Sequence, residues 1–414
     1  MIQEKRISEE LTHMAAITAP GRGINRLAFT DSDWEGRAYL MSLMKDAGLS
    51  VRTDAFGNIL GHLPGQDESL PSVMIGSHAD SVPDGGNYDG IAGVLCGIEI
   101  ARSMREEGFK NDRGLEVVIF ACEESSRFDA GTLGSGVMRG RLTRKKLMEI
   151  HDHAGNSLYD VLRLRDLNPD NLESAVWTKP LAAMFEVHIE PGRYLEYEGY
   201  PLGIVTGITA PYRLRVHIHG TEGHSGATPM NLRHDGLVAA AEIILAVEHT
   251  ALRTMPEATG TVTTLNLSPN AMNVIPGHVT LGIDIRSISD DAKVEIEAHI
   301  LDVIRQTGKN RDISIDVETL ARDASVPISH DVSDFLLTTA QSLSIPAVKM
   351  VSGAGHDAMH FADYCPTGML FFRSRGGISH APEEYASLSD IMKAMKTMEQ
   401  AIRLACSKDF SFQN

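Results

Sequence analysis

The chain has 414 residues, 43% of them hydrophobic and 22% charged, and a formal net charge of −17. This length exceeds one typical hydrophobic core and predicts two domains, while the composition is that of a soluble globular enzyme. The acidic balance excludes nucleic acid and anionic membranes as expected partners.

Cysteine usage and the first residues indicate the compartment. The four cysteines, Cys96, Cys122, Cys365 and Cys406, are far apart and form no CxxC pair, which argues against a disulfide framework or a zinc knuckle. The charged start MIQEKRISEE is not typical of a signal peptide, and no apolar run approaches the roughly eighteen residues of a membrane span. We therefore expect a cytoplasmic protein.

The first predicted elements lead to a cluster of ionisable groups. Amphipathic helices are predicted at 3–17 and 32–47 and short strands at 49–54 and 58–63, before an apolar strand that ends at His78. The stretch GSHADSVPDGGNYDGIAG follows that strand and precedes a helical pattern. In open α/β sheets, ligands collect at the carboxyl ends of such strands.

His78, Asp80 and Asp89 lie within that stretch. An imidazole can ligate a metal through one nitrogen while a nearby carboxylate holds its other N–H and fixes the tautomer. Asp89 could reach the same ion, and a carboxylate, having two oxygens, can also bridge two ions. The alternative is a structural loop histidine beside turn-forming Asp and Asn residues.

A second apolar strand, 115–122, ends at the adjacent carboxylates Glu123 and Glu124. Successive strand side chains point in opposite directions, so one of the two would otherwise face the core. We expect one of them to ligate a metal and the other to act as general base on water. An exposed acidic turn is the alternative.

Residues 131–179 are polar and predict only scattered helices, with His151 and His153 at the surface. The motif FEVHIEPG then repeats the arrangement of a short strand that delivers a histidine. His188 is therefore a third ligand candidate, with Glu190 near it.

An inserted domain is predicted at residues 208–325. Strands near 212–219, 260–267, 279–287 and 313–319 and helices near 235–252 and 292–306 follow the order β-α-β-β-α-β, which is typical of a ferredoxin-like motif. His217 and His219 are expected at the surface of this domain. Residues 1–207 and 326–414 would then form the other domain.

The α/β pattern resumes after the insertion, with a helix near 332–343 and strands near 347–351 and 368–372. His380 lies in a loop just past the last strand, which makes it the fourth histidine candidate by position. Together the patterns predict an α/β fold, with a three-layer domain around a mostly parallel sheet and an inserted α+β domain.

Seven motifs in one order now resemble a known family. They are GSHADSV with GGNYDG, ACEESSRF, FEVHIE, GHSGATPM, PNAMNVIPG, SGAGHDA and GISHAPEE, and they span residues 76–384. The chain resembles the hydantoinase/carbamoylase branch of the dinuclear metallo-aminoacylase and peptidase family. That branch includes N-carbamoyl-L-amino acid hydrolases, β-ureidopropionases and allantoate amidohydrolases.

The resemblance implies two divalent metal ions in the three-layer catalytic domain. One ion would be held by His78, Asp89 and His188, and the other by Asp89, Glu124 and His380, with Asp89 bridging. Glu123 would be the general base, and Asp80 would orient His78. Zinc is the expected metal, with manganese, cobalt or nickel as alternatives.

The resemblance also implies a substrate site and a homodimer formed through the inserted lid domain. His224 would be the lid donor to the oxyanion, often serving the neighbouring subunit. Arg286 would clamp the substrate carboxylate, while Asn273 and His356 would add hydrogen bonds and Gly355 a close backbone approach. A surface ion pair with Asp284 is the alternative for Arg286.

One departure from the family pattern concerns the substrate. The carbamoylase branch has a glutamine directly after HIE, whereas this chain has Pro191, which offers no side-chain polar atom and no N–H. The departure leaves the carbamoyl preference open but does not touch the hydrolytic chemistry, and Arg193 is a candidate to compensate.

The leading hypothesis is a metal-dependent amidohydrolase that acts on N-carbamoyl-L-amino acids or related ureido acids. An N-acyl-amino acid or dipeptide hydrolase and an allantoate amidohydrolase are the enzyme alternatives. A non-catalytic metal-binding or solute-binding protein is a different class. The adjacent Glu123 and Glu124 argue against that class, because binding alone needs no base beside the ligands.

Overall fold

A computed structural model describes residues 2–254 and 258–412 of the chain. The chain forms two compact units. The larger unit consists of the chain up to Thr206 and from Ile328 onward, and the inserted unit is Gly207–Pro327.

Strands and helices alternate through the first part of the larger unit. They are α1 (Glu4–Ala16), α2 (Asp31–Asp46), β1 (Ser50–Thr53), β2 (Ile59–Leu63), β3 (Ser72–His78), α3 (Ile91–Glu106), β4 (Leu115–Phe120), α4 (Leu133–Met138), α5 (Arg144–Glu149), α6 (Leu158–Leu164), β5 (Leu181–Ile189), α7 (Tyr194–Glu198) and β6 (Leu202–Ile208). The polar region 131–179 contains the three short helices α4, α5 and α6 and a 3₁₀ helix, Pro169–Ala175.

The inserted unit has an antiparallel sheet with two long helices. Its elements are β7 (Ala210–His219), β8 (Gly223–His224), α8 (Gly236–Arg253), β9 (Ala258–Ser268), β10 (Val274–Ile275), β11 (His278–Ser287), α9 (Asp290–Arg311), β12 (Ser314–Arg322) and β13 (Val326–Pro327). The four long strands pair in the order β12-β7-β11-β9, and β8 pairs with β10 in a separate ribbon. Apolar side chains of α8, α9 and one sheet face form the core of this unit.

The chain after the insertion completes the larger unit. Its elements are α10 (His330–Ser342), β14 (Ala347–Ser352), a 3₁₀ helix (Asp357–His360), β15 (Thr367–Phe372) and α11 (Leu388–Ala405). None of the helices in the described part of the chain combines the length and the apolar character needed to cross a membrane.

The main sheet has nine strands, in the order β1-β2-β4-β3-β5-β15-β6-β13, with β14 paired to β6. Its four central strands, β4, β3, β5 and β15, run parallel, whereas the pairs β1–β2, β2–β4, β15–β6 and β6–β13 are antiparallel. The α/β class with a parallel sheet is therefore confirmed. β1 and β2 are joined by a short connection, which an antiparallel pair allows and a parallel pair, needing a long crossover, does not.

Both faces of the central strands are buried. Val73 and Ile75 pack on one face against side chains of α3 and α11, while Met74 points to the opposite face, and all three are 0% exposed. Gly93 allows α3 to lie directly on β5, since a Cβ there would be 2.1 Å from the carbonyl oxygen of Val187. Helices on two faces of one sheet give the three-layer architecture.

Candidate metal centre

The candidate ligands of the larger unit meet at one edge of the main sheet. His78 is the last residue of β3, His188 lies near the end of β5, and Glu123 and Glu124 follow β4. His380 lies in the loop after β15. The carboxyl ends of these parallel strands share one edge, so residues far apart in sequence come together there.

His78, His188 and Asp89 form the first cluster of possible metal ligands. The Nε2 atoms of the two histidines are 3.4 Å apart. Oδ1 of Asp89 lies 3.2 Å from Nε2 of His78 and 3.1 Å from Nε2 of His188. Each histidine donates its Nδ1–H to a main-chain carbonyl, that of Asp80 at 3.0 Å and that of Ile189 at 2.8 Å. A neutral ring with its proton on Nδ1 has a bare lone pair on Nε2.

With both rings neutral, three lone-pair atoms would face one another. Oδ1 of Asp89 is buried and accepts no hydrogen bond from the described residues. Burial lowers the pKa of His78, but Glu123 and Asp89 raise it well above its ordinary value. Protonating both rings would place two positive Nε2–H groups 3.4 Å apart. A divalent cation satisfies all three atoms at once and has the donor set that imidazole and carboxylate provide.

Asp89, Glu124 and His380 form the second cluster. Nε2 of His380 lies 3.2 Å from Oε1 of Glu124 and 3.4 Å from Oδ2 of Asp89. Asp89 thus offers one oxygen to each cluster, as a bridging carboxylate would. His380 has a φ of 57°, in the left-handed region that few non-glycine residues adopt.

Glu123 lies beside the first cluster, with Oε2 3.7 Å from Nε2 of His78. Burial raises its pKa well above the ordinary value, although His78 opposes the shift and the carboxylates of Glu124 and Asp357 add to it. A base in this position needs nearby positive charge to remain ionised at neutral pH.

The carboxylate of Asp80 was expected to orient the ring of His78, and the structure shows a different contact. Its main-chain carbonyl, not its carboxylate, accepts the Nδ1–H of His78, and the nearest carboxylate oxygen is 3.9 Å away. The carboxylate instead accepts the main-chain N–H groups of Glu123 at 3.2 Å and Glu124 at 3.0 Å. Cys122 has a φ of 57°, which turns the chain after β4 so that both groups face Asp80.

Glu384 and Ser379 contact Asp89, although the sequence analysis assigned them no role. Oε1 of Glu384 accepts the main-chain N–H groups of Tyr88 at 2.9 Å and Asp89 at 3.1 Å, and Oγ of Ser379 lies 3.2 Å from Oδ2 of Asp89. Burial, reinforced by Asp89, raises the pKa of Glu384 to about 7. The sequence signal that could have identified Ser379 and Glu384 was their position in the motif GISHAPEE, next to His380.

Two further buried carboxylates lie behind the ligands. Glu186 on β5 accepts hydrogen bonds from Oγ of Ser77 at 3.0 Å and from the N–H of Ala358 at 2.8 Å. Asp357 accepts one from Oγ of Ser135 at 2.5 Å. Both carboxylates are 0% exposed, and burial raises the pKa of each above its ordinary value.

His356 and Gly355 belong to the loop after β14. His356 is buried, with Nε2 2.9 Å from Oγ of Ser352 and its ring centroid 4.6 Å from that of His188. Burial, together with the positive field of His188, lowers the pKa of His356 well below its ordinary value. A Cβ on Gly355 would meet only Sδ of Met359, at 3.8 Å, so the position is open.

The segment after His188 has a structural contact of its own. The carboxylate of Glu190 accepts the N–H groups of Tyr194 at 2.6 Å and Leu195 at 3.1 Å and so caps the start of α7. Arg193 is exposed and pairs with Glu196 at 2.9 Å.

The remaining sequence-predicted site residues belong to the inserted unit. Nδ1 of His224 accepts the N–H groups of Gly226 at 3.1 Å and Ala227 at 3.2 Å, so the neutral ring carries its proton on Nε2. The carbonyl of Asn273 accepts the N–H of Ser225 at 3.0 Å, which joins the two loops next to the β8–β10 ribbon.

Arg286 lies on β11 and forms the ion pair that was its alternative interpretation. Nε of Arg286 donates to Oδ1 of Asp284 at 2.8 Å, and Nε of Arg213 donates to Oδ2 of the same carboxylate at 2.8 Å. Burial would raise the pKa of Asp284, but the two guanidinium groups hold it below the ordinary value.

Comparisons with known proteins are consistent with this arrangement. The family model described as Peptidase family M20/M25/M40 matches residues 74–404. An N-carbamoyl-L-amino-acid amidohydrolase from a Pseudomonas species is 38% identical over 385 residues, covering 92% of this chain and 93% of the relative. A ureidoglycolate hydrolase from Oryza sativa is 34% identical and covers 96% of this chain and 83% of the relative.

A similar solved structure is a hydantoinase/carbamoylase family amidase from Burkholderia multivorans. It superposes with a TM-score of 0.92 at 32% identity and covers 99% of both chains. The likeness therefore extends over the whole fold.

Proposed function

The chain belongs to peptidase family M20/M25/M40, and from that premise we propose that it hydrolyses the amide of N-carbamoyl-L-amino acids or related ureido acids. It is a metal-dependent amidohydrolase, a hydrolase of non-peptide C–N bonds. The single observation that carries the metal-dependent chemistry is the close approach of Nε2 of His78 and Nε2 of His188 to Oδ1 of Asp89, a buried oxygen that accepts no hydrogen bond from the described residues.

The donor set fits two divalent cations that share Asp89. Imidazole and carboxylate ligands suit zinc, manganese, cobalt or nickel, and we propose zinc. Positive charge here would also offset the buried carboxylates of Glu186 and Asp357. Bound there, the ions would polarise the substrate carbonyl and supply a water that loses its proton near neutral pH.

The chain's own residues would move the protons. Glu123 is placed to accept a proton from the attacking water and to give it to the leaving nitrogen. Asp80 holds the main chain of Glu123 and Glu124, so it fixes the position of the base. His224 would donate from Nε2–H to the developing oxyanion, since its Nδ1 is already an acceptor.

Other residues would bind the substrate. We assign Arg286 to the substrate carboxylate, for which its guanidinium would have to share or exchange Asp284. Asn273 and His356 would form hydrogen bonds with the substrate, and the open position at Gly355 would allow close approach of the ligand.

A second candidate function is hydrolysis of N-acyl-amino acids or dipeptides. Pro191 is the observation that favours it, because no side-chain amide is present there to recognise a ureido group. A third candidate function for the same site is that of an allantoate amidohydrolase. Relatives named ureidoglycolate hydrolase support a ureido acid as the substrate.

We assign catalysis to residues 1–207 and 326–414 and a lid and dimerisation role to 208–325. An apolar stripe on α8, formed by Val238, Leu245 and Leu252, supports a second copy as the partner. These side chains are spaced by seven residues on one helix and are 42%, 52% and 57% exposed. β9, beside α8, is an edge strand with unpaired main-chain groups, which a second copy could cover.

A cytoplasmic location completes the proposal. All four cysteines are free and buried. Such thiols are compatible with a reducing compartment, where disulfides are rare.

The test is a substrate screen with zinc-, manganese-, cobalt- and nickel-loaded protein. N-carbamoyl, N-formyl and N-acetyl amino acids, dipeptides and allantoate would be offered, and ammonia and free amine measured. Ammonia release from N-carbamoyl substrates supports the proposal, and faster cleavage of N-acetyl or dipeptide substrates favours the second candidate. No release from any substrate overturns both.

A further inference from the structure

One loop provides both a candidate ligand and the contacts that hold the shared carboxylate. His380 belongs to it, and Ser379 and Glu384 on either side contact Asp89, which lies 295 residues before Glu384. Glu384 binds the main chain of Asp89, and Ser379 binds its side chain. The bridging candidate and the ligand of one cluster are therefore fixed by the same short segment.

The burial of the Glu384 carboxylate is unfavourable unless its contacts compensate for the loss of water. It is 5% exposed, and among the described residues it forms no ion pair with Lys or Arg. It packs directly on Gly86, where a Cβ would lie 2.2 Å from Oε1 of Glu384. Burial of a carboxylate without a cation is unfavourable, and the hydrogen bonds from the N–H groups of Tyr88 and Asp89 and from the hydroxyl of Ser379 compensate it.

Asp89 can serve two ions only if its carboxylate plane is fixed. Oδ1 faces His78 and His188, while Oδ2 faces His380 and Ser379. The N–H bond to Glu384 fixes the main chain of Asp89, and the Ser379 hydroxyl lies between Oδ2 of Asp89, at 3.2 Å, and Oε2 of Glu384, at 3.4 Å, and so restricts the rotation of the Asp89 carboxylate. Loss of either contact would let Oδ2 leave the second cluster without changing the ligands themselves.

We propose that Glu384 is a positioning residue that, with Ser379, holds Asp89 in its bridging orientation and sets the affinity of the cluster of Asp89, Glu124 and His380. This inference rests on the metal centre of the proposed function. It adds to the proposed function because the metal affinity of one of the two clusters would depend on residues that contact neither the substrate nor the metal.

A purely structural role for Glu384 makes a different prediction. If Glu384 only closed the loop, its removal would lower thermal stability and affect both clusters alike. If it positions Asp89, the loss concentrates in the second cluster, and an acceptor of the same shape restores it. Glu384→Gln is that acceptor, since its amide oxygen can take both N–H groups.

The experiment titrates Zn²⁺ into metal-free protein by calorimetry, with thermal unfolding of each metal-free variant and kcat and KM of each loaded one. Glu384→Ala is expected to bind one ion as the wild type does and the other about 10–100-fold more weakly. Its kcat should fall with KM little changed. Glu384→Gln should stay within about threefold of wild type, a smaller change than the loss of a ligand-supporting contact normally brings.

Glu383→Ala is the matched control, because Glu383 is the neighbouring carboxylate, is exposed and, within the described part of the chain, forms an ion pair only with Arg22, at 3.5 Å. It should leave both affinities unchanged. Ser379→Ala removes a single hydroxyl, and it too should weaken the second ion, which keeps the proposal testable if Glu384→Ala does not fold.

Equal weakening of both ions in Glu384→Ala, or wild-type affinities in Glu384→Ala and Ser379→Ala, overturns the inference and leaves the proposed function intact. Wild-type protein that binds no Zn²⁺ overturns both.

Discussion

The carboxylate of Asp80 accepts the main-chain N–H of Glu124 at 3.0 Å. A residue that follows β3 thus fixes the turn that follows β4. Because the adjacent N–H of Glu123 binds the same carboxylate, the base and one candidate ligand are held as a pair. The distance between these two side chains is therefore set by the main chain, not by metal binding alone.

Glu123→Gln should abolish most turnover while leaving the metal content unchanged. The amide has the same shape but cannot take a proton, and loss of general base catalysis costs about 10²–10⁴-fold in kcat. Steady-state kinetics and metal analysis of the purified variant measure both effects. Wild-type turnover in this variant would remove Glu123 as the base.

Removal of metal should both inactivate and destabilise the protein. Without a cation, either lone pairs or two protonated rings of His78 and His188 face each other 3.4 Å apart beside Asp89, and both arrangements are unfavourable. An ion at about a thousand times its dissociation constant stabilises the folded state by about 4 kcal/mol, so chelation should lower the melting temperature. Chelator already saturated with zinc is the control. Activity and melting temperature that both withstand chelation would contradict the proposed centre.

Stability should fall as the pH rises, through His62. Its Nδ1 lies 2.9 Å from Glu116 and its Nε2 2.9 Å from Glu68, while Lys179 lines the same cleft. The hydrogen bond to Glu116 outweighs burial and, with Glu68, raises the pKa of His62 above the ordinary 6.5. The stabilisation is therefore complete below the unfolded pKa of about 6.5 and is lost as the pH passes the raised folded pKa.

Denaturant unfolding of wild type and His62→Gln measures this effect. The variant should be about 1 kcal/mol less stable at about pH 6, and the difference should shrink towards about pH 9. His151→Gln, which replaces an exposed histidine, is the control. A difference that does not change with pH would rule out the ion pairs as its source.

Leu245→Lys should dissociate the proposed dimer. A charge in the middle of the apolar stripe on α8 would have to be buried or leave the interface, and the desolvation of an unpaired charge costs several kcal/mol. Light scattering after gel filtration measures the mass. Leu320→Lys, at an exposed apolar position on the opposite edge strand, is the control. A wild type that is monomeric throughout would refute the stripe as an interface.

Local patterns sufficed for the residues that follow buried strands. His78 and His188 lie near the carboxyl ends of apolar strands and Glu124 and His380 lie past such ends, so each could be placed at one edge of the sheet, where parallel strands end together. The same reasoning predicted the order along the chain of the long strands and helices of the inserted unit. It predicted no strand at β6, although β6 pairs with β15 in the main sheet.

The contacts that orient the ligands could not be predicted in this way. Glu384 binds the main chain of Asp89 across 295 residues, and no periodicity encodes such a hydrogen bond. The sequence predicted that the carboxylate of Asp80 accepts the Nδ1–H of His78, but the main-chain carbonyl of Asp80 accepts it instead. Every residue has such a carbonyl, so the residue type does not indicate this contact. Side-chain identity indicates which groups are available, whereas their partners depend on the folded main chain.

The two ends of the inserted unit are neighbours. The N–H of Ile328 donates to the carbonyl of Thr206 at 3.0 Å, and Val326 pairs with Ile208 in an antiparallel ladder. Deleting Gly207–Pro327 leaves two chain ends that a two-residue hairpin turn can rejoin. Because its two junctions are adjacent, the inserted unit can be replaced or removed without changing the path of the chain in the larger unit.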